Sequence, residues 1–305
     1  MPSGTSIVGL CIAKNEADII EAMVRHNLGF LDHLHVVDND SGDATPEILA
    51  LLHAELGGRL SWSVDRRVGH GQQAMTNEVL PELAARTDAA QVVLLDSDEF
   101  IRAEPAFFRE TLLTSNMPVQ IEWINYVPTP DDDPNEPNPI ARITHRRKRE
   151  VLKQGKITMP RGLVGHAQVG AGNHSLIARA RVQFLSDRRL KLAHFPVRSR
   201  EQLMSKVLIG SWNIRLRDGP IKAEASHWLS LAGRIMAGDP ITDAQVYETA
   251  IMYNVKQAVR VILDPLAAPG TMKLRYTPQN TALLQRNLIA FAESCVQRIE
   301  LAKLG

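Results

Sequence analysis

Two carboxylates that follow an apolar run are the residues best suited to chemistry in this chain. Residues 92–95 are Val-Val-Leu-Leu, and Asp96, Ser97, Asp98 and Glu99 follow directly. Side chains two positions apart in an extended chain point the same way, so Asp96 and Asp98 can reach one cation. Carboxylate oxygens are hard ligands that suit Mg²⁺ or Mn²⁺. The same residues also suit a surface turn, and the pattern alone leaves both interpretations open.

Polar side chains follow two earlier apolar segments in the same way. Residues 14–16 (Lys-Asn-Glu) follow Ile7–Ala13, and the acidic turn at residues 38–43 follows Leu34–Val37. Taken singly, these are a helix cap and an Asx-rich turn. The carboxyl ends of neighbouring parallel strands, however, converge on one crevice, where ligands bind. The sequence therefore predicts one polar site made from three strand ends.

A glycine motif offers an alternative. Gly69, Gly71 and Ala74 fit the pattern G-x-G-x-x-G/A, and Asp96 follows at about the spacing of the ribose-binding acid in dinucleotide folds. An NAD-dependent oxidoreductase that uses Gly69–Ala74 is therefore an alternative function. The residues before the motif, 65–67, are Asp-Arg-Arg, whereas the dinucleotide fingerprint has a buried strand there.

These candidate sites need strands to position them. Strand-like and helix-like segments alternate along the first half of the chain, for example strand-like Leu60–Val64, helix-like Gln73–Ala85 and strand-like Gln91–Leu95. This alternation predicts an α/β fold with a mostly parallel sheet and helices on both faces. Pro118–Val127 is a further strand, and the proline- and acid-rich Pro128–Pro139 is a loop. The pattern from residue 200 onward is helical, so we expect a catalytic domain at 1–199 and a helical region at 200–305. Its predicted helices are Gln202–Leu216, Ala223–Met236, Ala244–Leu263 and Thr281–Leu301.

Composition narrows the class of protein. The chain has 305 residues, of which 44% are apolar, so it can bury a core. Its 35 basic and 34 acidic side chains nearly cancel, which gives no overall field to attract nucleic acid. The two cysteines, Cys11 and Cys295, have no zinc or disulfide spacing, and no apolar run approaches the ~18 residues of a membrane span. We therefore expect a soluble, cytoplasmic protein.

The order of the polar motifs resembles a family of enzymes. Lys14-Asn15-Glu16, Asp38-x-Asp40-Ser41, Gly71…Asn77 and Leu95-Asp96-Ser97-Asp98-Glu99 are similar to the motifs of GT-A glycosyltransferases of the family 2 type. The stretch at 193–202, Ala-His-Phe-Pro-Val-Arg-Ser-Arg-Glu-Gln, resembles a His-aromatic-x-x-(Lys/Arg)-Ser segment of the family 92-like branch. The resemblance covers about residues 7–210 and leaves the helical tail aside.

The resemblance implies a GT-A, Rossmann-like fold and an inverting, metal-dependent hexosyl transfer from a UDP-linked sugar to an acceptor hydroxyl. The acceptor would be a glycan or glycoconjugate, as in polysaccharide biosynthesis. It assigns the metal to Asp96, Asp98 and His194, with Mn²⁺ preferred over Mg²⁺ because imidazole joins the carboxylates. It assigns the donor site to Ala13, Asn15, Glu16, Asp38, Asp40, Gln73, Asn77 and Asp96.

The catalytic base and the partners are less defined. Glu122, just before Trp123, and Asp131, in the proline-rich loop, are the candidate bases, and we expect this loop to close over the donor. The chain has no Gln-x-x-Arg-Trp motif, which speaks against a processive synthase, and a catalytically inactive binding module stays open as an alternative. The last helix carries an apolar stripe that predicts core packing or a homodimer, or else membrane-surface contact: Leu284, Leu288, Phe291, Cys295 and Ile299.

Overall fold

The computed structural model describes residues 4–67, 71–152, 154–215, 226–267, 272–277 and 283–304. Its first third alternates strands with helices, as the sequence predicts. The elements are β1 (Ser6–Ala13), α1 (Ile20–Asn27), β2 (His33–Asp38), α2 (Thr45–Leu56), β3 (Leu60–Val64), α3 (Gln72–Arg86), β4 (Ala89–Asp96), β5 (Glu99–Arg102) and α4 (Pro105–Thr114).

The middle of the chain is made mainly of strands, and the last third mainly of helices. The strands and one short helix are β6 (Val119–Asn125), α5 (Pro139–Arg142), β7 (His145–Arg147), β8 (Gly155–Pro160), β9 (Ala167–Val169), β10 (Leu176–Ala178) and β11 (Leu185–His194). The elements that follow are α6 (Arg200–Arg215), α7 (Ser226–Met236), α8 (Asp243–Ile251), β12 (Val261–Leu263) and α9 (Leu283–Leu304).

An eight-stranded sheet in the order β3-β2-β1-β4-β8-β6-β11-β5 forms the centre of the fold. Six of its strands run in one direction, and β8 and β5 run against them. The half β3-β2-β1-β4 has the Rossmann-like order of open α/β sheets. The predicted α/β class with a mostly parallel sheet is confirmed, and the arrangement is the one that the GT-A resemblance implies.

Both faces of the sheet are covered, because alternate residues of the buried strand β1 enter different cores. Ile7 and Cys11 pack with side chains of α1, α2 and α4, whereas Val8 and Leu10 pack with side chains of α3 on the other face. A strand buried on both faces reads as a continuous apolar run, which is why the sequence identifies it readily.

Two predicted helices differ from the structure. Asn15 does not cap the first helix: its φ is +57°, its Oδ1 accepts from the Gly42 N–H, and α1 begins at Ile20. The helix predicted over Ala244–Leu263 ends at Ile251, and its last three residues form β12, which pairs antiparallel with β7. Pairing with a distant strand leaves no local signal, so helical periodicity alone extended this element too far.

The C-terminal helices pack against one another. Helix α6 contacts α7 and α9, with Trp212 stacked on Phe291 at a centroid distance of 5.0 Å. Phe291 and Leu288, from the predicted apolar stripe, therefore lie against the protein's own core, while the side chains of Leu284 and Ile299 lie outside the described residues. No helix in the described ranges is both long and apolar enough to cross a bilayer.

Candidate active site

The candidate site lies where β4, β6 and β11 end. Strand β4 ends at Asp96, and Asp98 lies in the turn before β5. In the sheet His194, at the end of β11, is paired with Asn125 of β6 on one side and Glu99 of β5 on the other. The topology therefore brings together residues that are about 100 positions apart in the chain.

Asp98 is nearly enclosed by nitrogen atoms. Its side chain is 6% exposed, its Oδ2 lies 3.2 Å from Lys206 Nζ and 3.8 Å from an Arg198 guanidinium nitrogen, and its Oδ1 lies 3.6 Å from His194 Nε2. Burial by itself would raise the pKa of Asp98, but the neighbouring cations outweigh it and hold the pKa well below the ordinary value. Asp98 is therefore an anion in this site.

His194 is buried and neutral, because burial lowers its pKa to about 4. Its Nδ1 lies 2.8 Å from Asn125 Oδ1, and its ring stacks on Trp123 at a centroid distance of 4.5 Å. The Asn125 amide nitrogen donates to Glu150, so its oxygen faces the imidazole. Nδ1 then carries the proton, and the Nε2 lone pair faces Asp98.

Asp98 and His194 together carry two groups that suit a divalent cation. Asp98 Oδ1 and His194 Nε2 are two acceptors that face each other at 3.6 Å, which is an arrangement that a shared cation stabilises. A carboxylate with an imidazole suits Mn²⁺. No group of three or more His, Cys, Asp or Glu side chains that could hold a metal occurs among the described residues. Among the described residues the site thus offers two protein ligands to a cation, Asp98 and His194.

Asp96 has different partners from Asp98. Its Oδ1 accepts from Gln72 Nε2 at 2.7 Å and its Oδ2 accepts from Lys156 Nζ, also at 2.7 Å. Because β4 ends at Asp96 and a turn follows, the extended-chain rule that aligns residues two apart does not hold here. The two carboxylates are therefore not equivalent, and the pair Asp98 and His194 fits a cation better than Asp96 does.

A buried polar layer lies beneath Asp96. Lys156 is 1% exposed, donates to the Gly172 carbonyl as well as to Asp96, and lies over the Trp123 ring. The Trp123 indole N–H donates to Glu99 Oε1 at 2.5 Å. Burial raises the pKa of Glu99 well above its ordinary value. Trp123 therefore helps to order both His194 and Glu99.

Arg198 joins the loop after β1 to the start of α6. Its fully buried guanidinium donates to both carboxylate oxygens of Asp18, at 2.7 and 2.9 Å, and to Glu16 at 2.6 Å. Burial raises the pKa of Glu16 to about 7, even though Arg198 opposes the change. Glu16, predicted at the donor site, therefore lies in the same charged cluster as Asp98.

A carboxylate oxygen at the end of β2 accepts no hydrogen bond from the described residues. Asp38 is 1% exposed; its Oδ2 accepts from the Ser41 N–H, whereas its buried Oδ1 has no hydrogen-bond partner within the described residues. Burial raises the pKa of Asp38. Asn15 closes this loop through Gly42, and Asp40 adopts a positive φ of +54°. An orphaned buried acceptor is rare and is satisfied when a ligand supplies a donor.

Three predicted donor residues act mainly within the protein. Asn77 bonds both the N–H and the carbonyl of Val169, at 2.7 and 2.9 Å, and Gln73 donates to the same carbonyl at 3.2 Å. These contacts tie α3 to β9. The Ala13 carbonyl accepts from the Asn39 N–H at 2.8 Å, which joins the ends of β1 and β2.

The two predicted bases lie in different surroundings. Glu122 is held by Lys191 at 2.5 Å, and strand alternation places it on the opposite face of β6 from Trp123 and Asn125. The structure therefore does not bring Glu122 to the Asp98 cluster. Asp131 is exposed in the loop 128–139. Arg142 follows this loop and links it to the site, because its side chain donates to the Arg198 carbonyl at 3.3 Å.

Sequence reasoning missed several residues of the site. Arg147 and Lys156 lie in a segment rich in basic residues, a composition typical of a solvated surface, yet each is 1% exposed. A lysine inside the apolar strand β8 was the available signal. No motif marks Gln72, Asn125, Glu150 or Lys206, because they meet Asp96, His194 and Asp98 only in the folded protein.

Comparison with known proteins gives distant likenesses of fold. No family model and no curated protein matches the chain. S. aureus TarS 1–349 in complex with UDP is 14% identical over 76% of this chain and 72% of that one, with a TM-score of 0.41. In a second TarS structure, which is 15% identical, the match covers 75% of this chain and 43% of that one, with a TM-score of 0.41. The mannosyltransferase PcManGT from Pyrobaculum calidifontis, in complex with GDP-Man and Mn²⁺, is 14% identical over 82% of this chain and 74% of that one, with a TM-score of 0.43. Glucosyl-3-phosphoglycerate synthase from Mycobacterium tuberculosis is 26% identical over 39% and 44%, with a TM-score of 0.28.

Proposed function

We propose that the protein is a metal-dependent glycosyltransferase that moves a sugar from a UDP-linked donor to an acceptor hydroxyl. The observation that carries the proposal is the facing acceptor pair Asp98 and His194, flanked by Lys206 and Arg198 at the strand ends. A cluster that combines two ligands for a cation with further positive charge suits a diphosphate. Among reactions of diphosphates, departure of a nucleoside diphosphate from a sugar is the one that the sequence resemblance supports.

The charged cluster around Asp98 would stabilise the leaving diphosphate in this reaction. A Mn²⁺ or Mg²⁺ ion held by Asp98 and His194 would supply Lewis-acid charge that offsets the negative charge of the leaving diphosphate. Lys206 is 32% exposed, so its ammonium can turn from Asp98 toward phosphate oxygens. Arg198 is held by Asp18 and Glu16 and adds a fixed positive charge that needs no rearrangement during the reaction.

The end of β2 is the proposed nucleoside site. The buried Asp38 Oδ1 lacks a donor, and an N–H group of a nucleobase would supply one. Asn15, Glu16 and Asp40 lie in the loops that border Asp38, and the resemblance places base and ribose contacts at these positions. Asp96 keeps lone pairs beyond its bonds to Gln72 and Lys156, so it can also accept from a ribose hydroxyl.

For the acceptor proton we propose Asp131 as the general base of an inverting transfer. Its carboxylate lies in the loop that Arg142 links to Arg198, and closing this loop would exclude water from the donor. Glu122 fits the role less well, because Lys191 holds its carboxylate on the far face of β6. The acceptor itself would be a glycan or glycoconjugate.

Nucleotide binding tests the proposal. We expect UDP or UDP-sugars to raise the melting temperature in the presence of Mn²⁺ but only weakly without it, since a ligand that binds only the folded state stabilises it by mass action. NAD should give no shift, and a shift with NAD alone would favour the oxidoreductase alternative at Gly71. Sugar release from the stabilising donor distinguishes an enzyme from an inactive binding module.

A further inference from the structure

A series of hydrogen bonds leads from Glu150, in the loop after β7, to the buried His194. Glu150 Oε1 accepts from the Asn125 backbone N–H, and Glu150 Oε2 accepts from Asn125 Nδ2, both at 2.8 Å. The Asn125 Oδ1 atom lies 2.8 Å from His194 Nδ1. Arg147, 1% exposed, donates to Glu150 Oε2 at 3.2 Å and so anchors the far end of the series.

The chemistry of the end groups fixes the direction of every bond in this series. An ionised carboxylate only accepts hydrogen bonds, so the NH₂ end of the Asn125 amide must face Glu150 and its oxygen must face the imidazole. His194 Nδ1 must then be the protonated nitrogen. As a result, the Nε2 lone pair is directed at the space beside Asp98 Oδ1, 3.6 Å away.

We propose that Glu150 and Asn125 are positioning residues that hold His194 in the Nδ1–H tautomer and thereby make Nε2 a metal ligand. This inference rests on the proposed function for the metal, although the tautomer can be measured without any metal. Histidines that bind metals generally donate their second ring N–H to a carbonyl or carboxylate, and the loss of such a partner typically lowers metal affinity 10- to 100-fold. Here the Asn125 amide lies between the Glu150 carboxylate and His194, so the carboxylate orients the imidazole through the amide.

The variant Glu150→Gln reverses the donor and acceptor roles in the hydrogen bonds between residue 150, Asn125 and His194, and glutamine has nearly the shape of glutamate. The backbone N–H of Asn125 cannot turn, so it retains the single oxygen of the new glutamine, and the NH₂ group of that glutamine faces the Asn125 side chain. The Asn125 amide must then flip to offer its oxygen. Its NH₂ group would face His194 Nδ1 and force the proton onto Nε2, which removes the lone pair beside Asp98.

A second substitution restores the original direction. In the double variant Glu150→Gln with Asn125→Asp, the glutamine NH₂ donates to the new aspartate, whose other oxygen accepts from His194 Nδ1–H. The double variant has the same total charge as the wild type, and it lacks the Arg147 acceptor in the same way as the single variant. A purely structural role of Glu150 would predict no such rescue.

The experiment has two readouts on the full chain. Nitrogen NMR of the metal-free protein reports the His194 tautomer, and electron paramagnetic resonance of free Mn²⁺, titrated alone, reports metal affinity. We expect Nδ1–H in the wild type and in the double variant, and Nε2–H with about 10- to 100-fold weaker Mn²⁺ binding in Glu150→Gln. Glu110→Gln, an exposed position on α4, is the matched control and should behave as wild type.

Each contrary result has one meaning. An Nε2–H tautomer in the wild type overturns the inference without any variant, as does a Glu150→Gln protein that keeps the Nδ1–H tautomer or the wild-type Mn²⁺ affinity. If the wild type takes up no Mn²⁺ while the tautomer still switches in Glu150→Gln, the proposed metal-dependent function fails, and the control of the tautomer by Glu150 stands.

Discussion

Glu21 provides a prediction whose size follows directly from its contacts. This fully buried carboxylate on α1 accepts from the backbone N–H groups of Arg275, Tyr276 and Thr277 at 2.7–2.8 Å, from the Thr277 hydroxyl, and from Arg25. It thereby holds residues 272–277 against the core of the first half of the chain, where Tyr276 packs. Burial would raise the pKa of Glu21, but these hydrogen bonds outweigh it and lower the pKa.

The variant Glu21→Gln replaces one of two accepting oxygens by an NH₂ group. If the remaining oxygen keeps the Tyr276 and Thr277 donors, the N–H groups of Arg275 and Arg25 face an amide that cannot accept. Arg25 retains Glu55, so the main cost is one unsatisfied backbone donor of about 1–3 kcal/mol, with a further loss because the other bonds are no longer to a charged group. We expect a total loss of about 2–4 kcal/mol of unfolding free energy.

Urea unfolding at neutral pH measures this loss, with Glu47→Gln on the exposed side of α2 as the control. Because the native pKa of Glu21 is lowered, its stabilisation is complete above the ordinary glutamate pKa of about 4.3 and is lost as the pH falls through the native value. The difference between wild type and variant should therefore shrink in acid. A loss below about 0.5 kcal/mol at neutral pH, or unchanged hydrogen-exchange protection of the amides at 275–277, would refute the reasoning.

Three further predictions concern the site. Asp131→Asn should lower sugar transfer by about 100-fold or more, the usual contribution of a general base, while Glu122→Gln changes it little; the reverse order in a transfer assay would make Glu122 the base. Replacing residues 130–137 by a short Gly-Ser linker should raise donor hydrolysis relative to transfer, and an unchanged ratio of the two products would argue against a closing loop. Trp123→Phe should cost about 1–3 kcal/mol in urea unfolding, since Glu99 Oε1 loses its indole donor, and an unaltered midpoint would show that this bond contributes little.

The sheet and its polar edge could be predicted from the sequence. Strands that are buried on both faces consist of continuous apolar residues, and acidic residues follow directly where these strands end. β1 and β4 and the acids Asp96 and Asp98 belong to this predictable part. The partners of those acids were not predictable in the same way. Lys206 comes from a helix 108 positions away, and Glu150 reaches His194 only through Asn125. Such contacts depend on tertiary packing, which local patterns do not record.

The central claim is that Asp98 and His194 form a cation site for a nucleoside diphosphate. Titration calorimetry of UDP with Mn²⁺, on the wild type and on Asp98→Asn, tests it most directly. Asparagine keeps the shape of Asp98 but removes the charge that Lys206 and Arg198 surround. We predict that Mn²⁺ strengthens UDP binding to the wild type and has no such effect on Asp98→Asn, with both proteins folded by circular dichroism. Equal Mn²⁺-dependent binding by the two proteins would contradict the account.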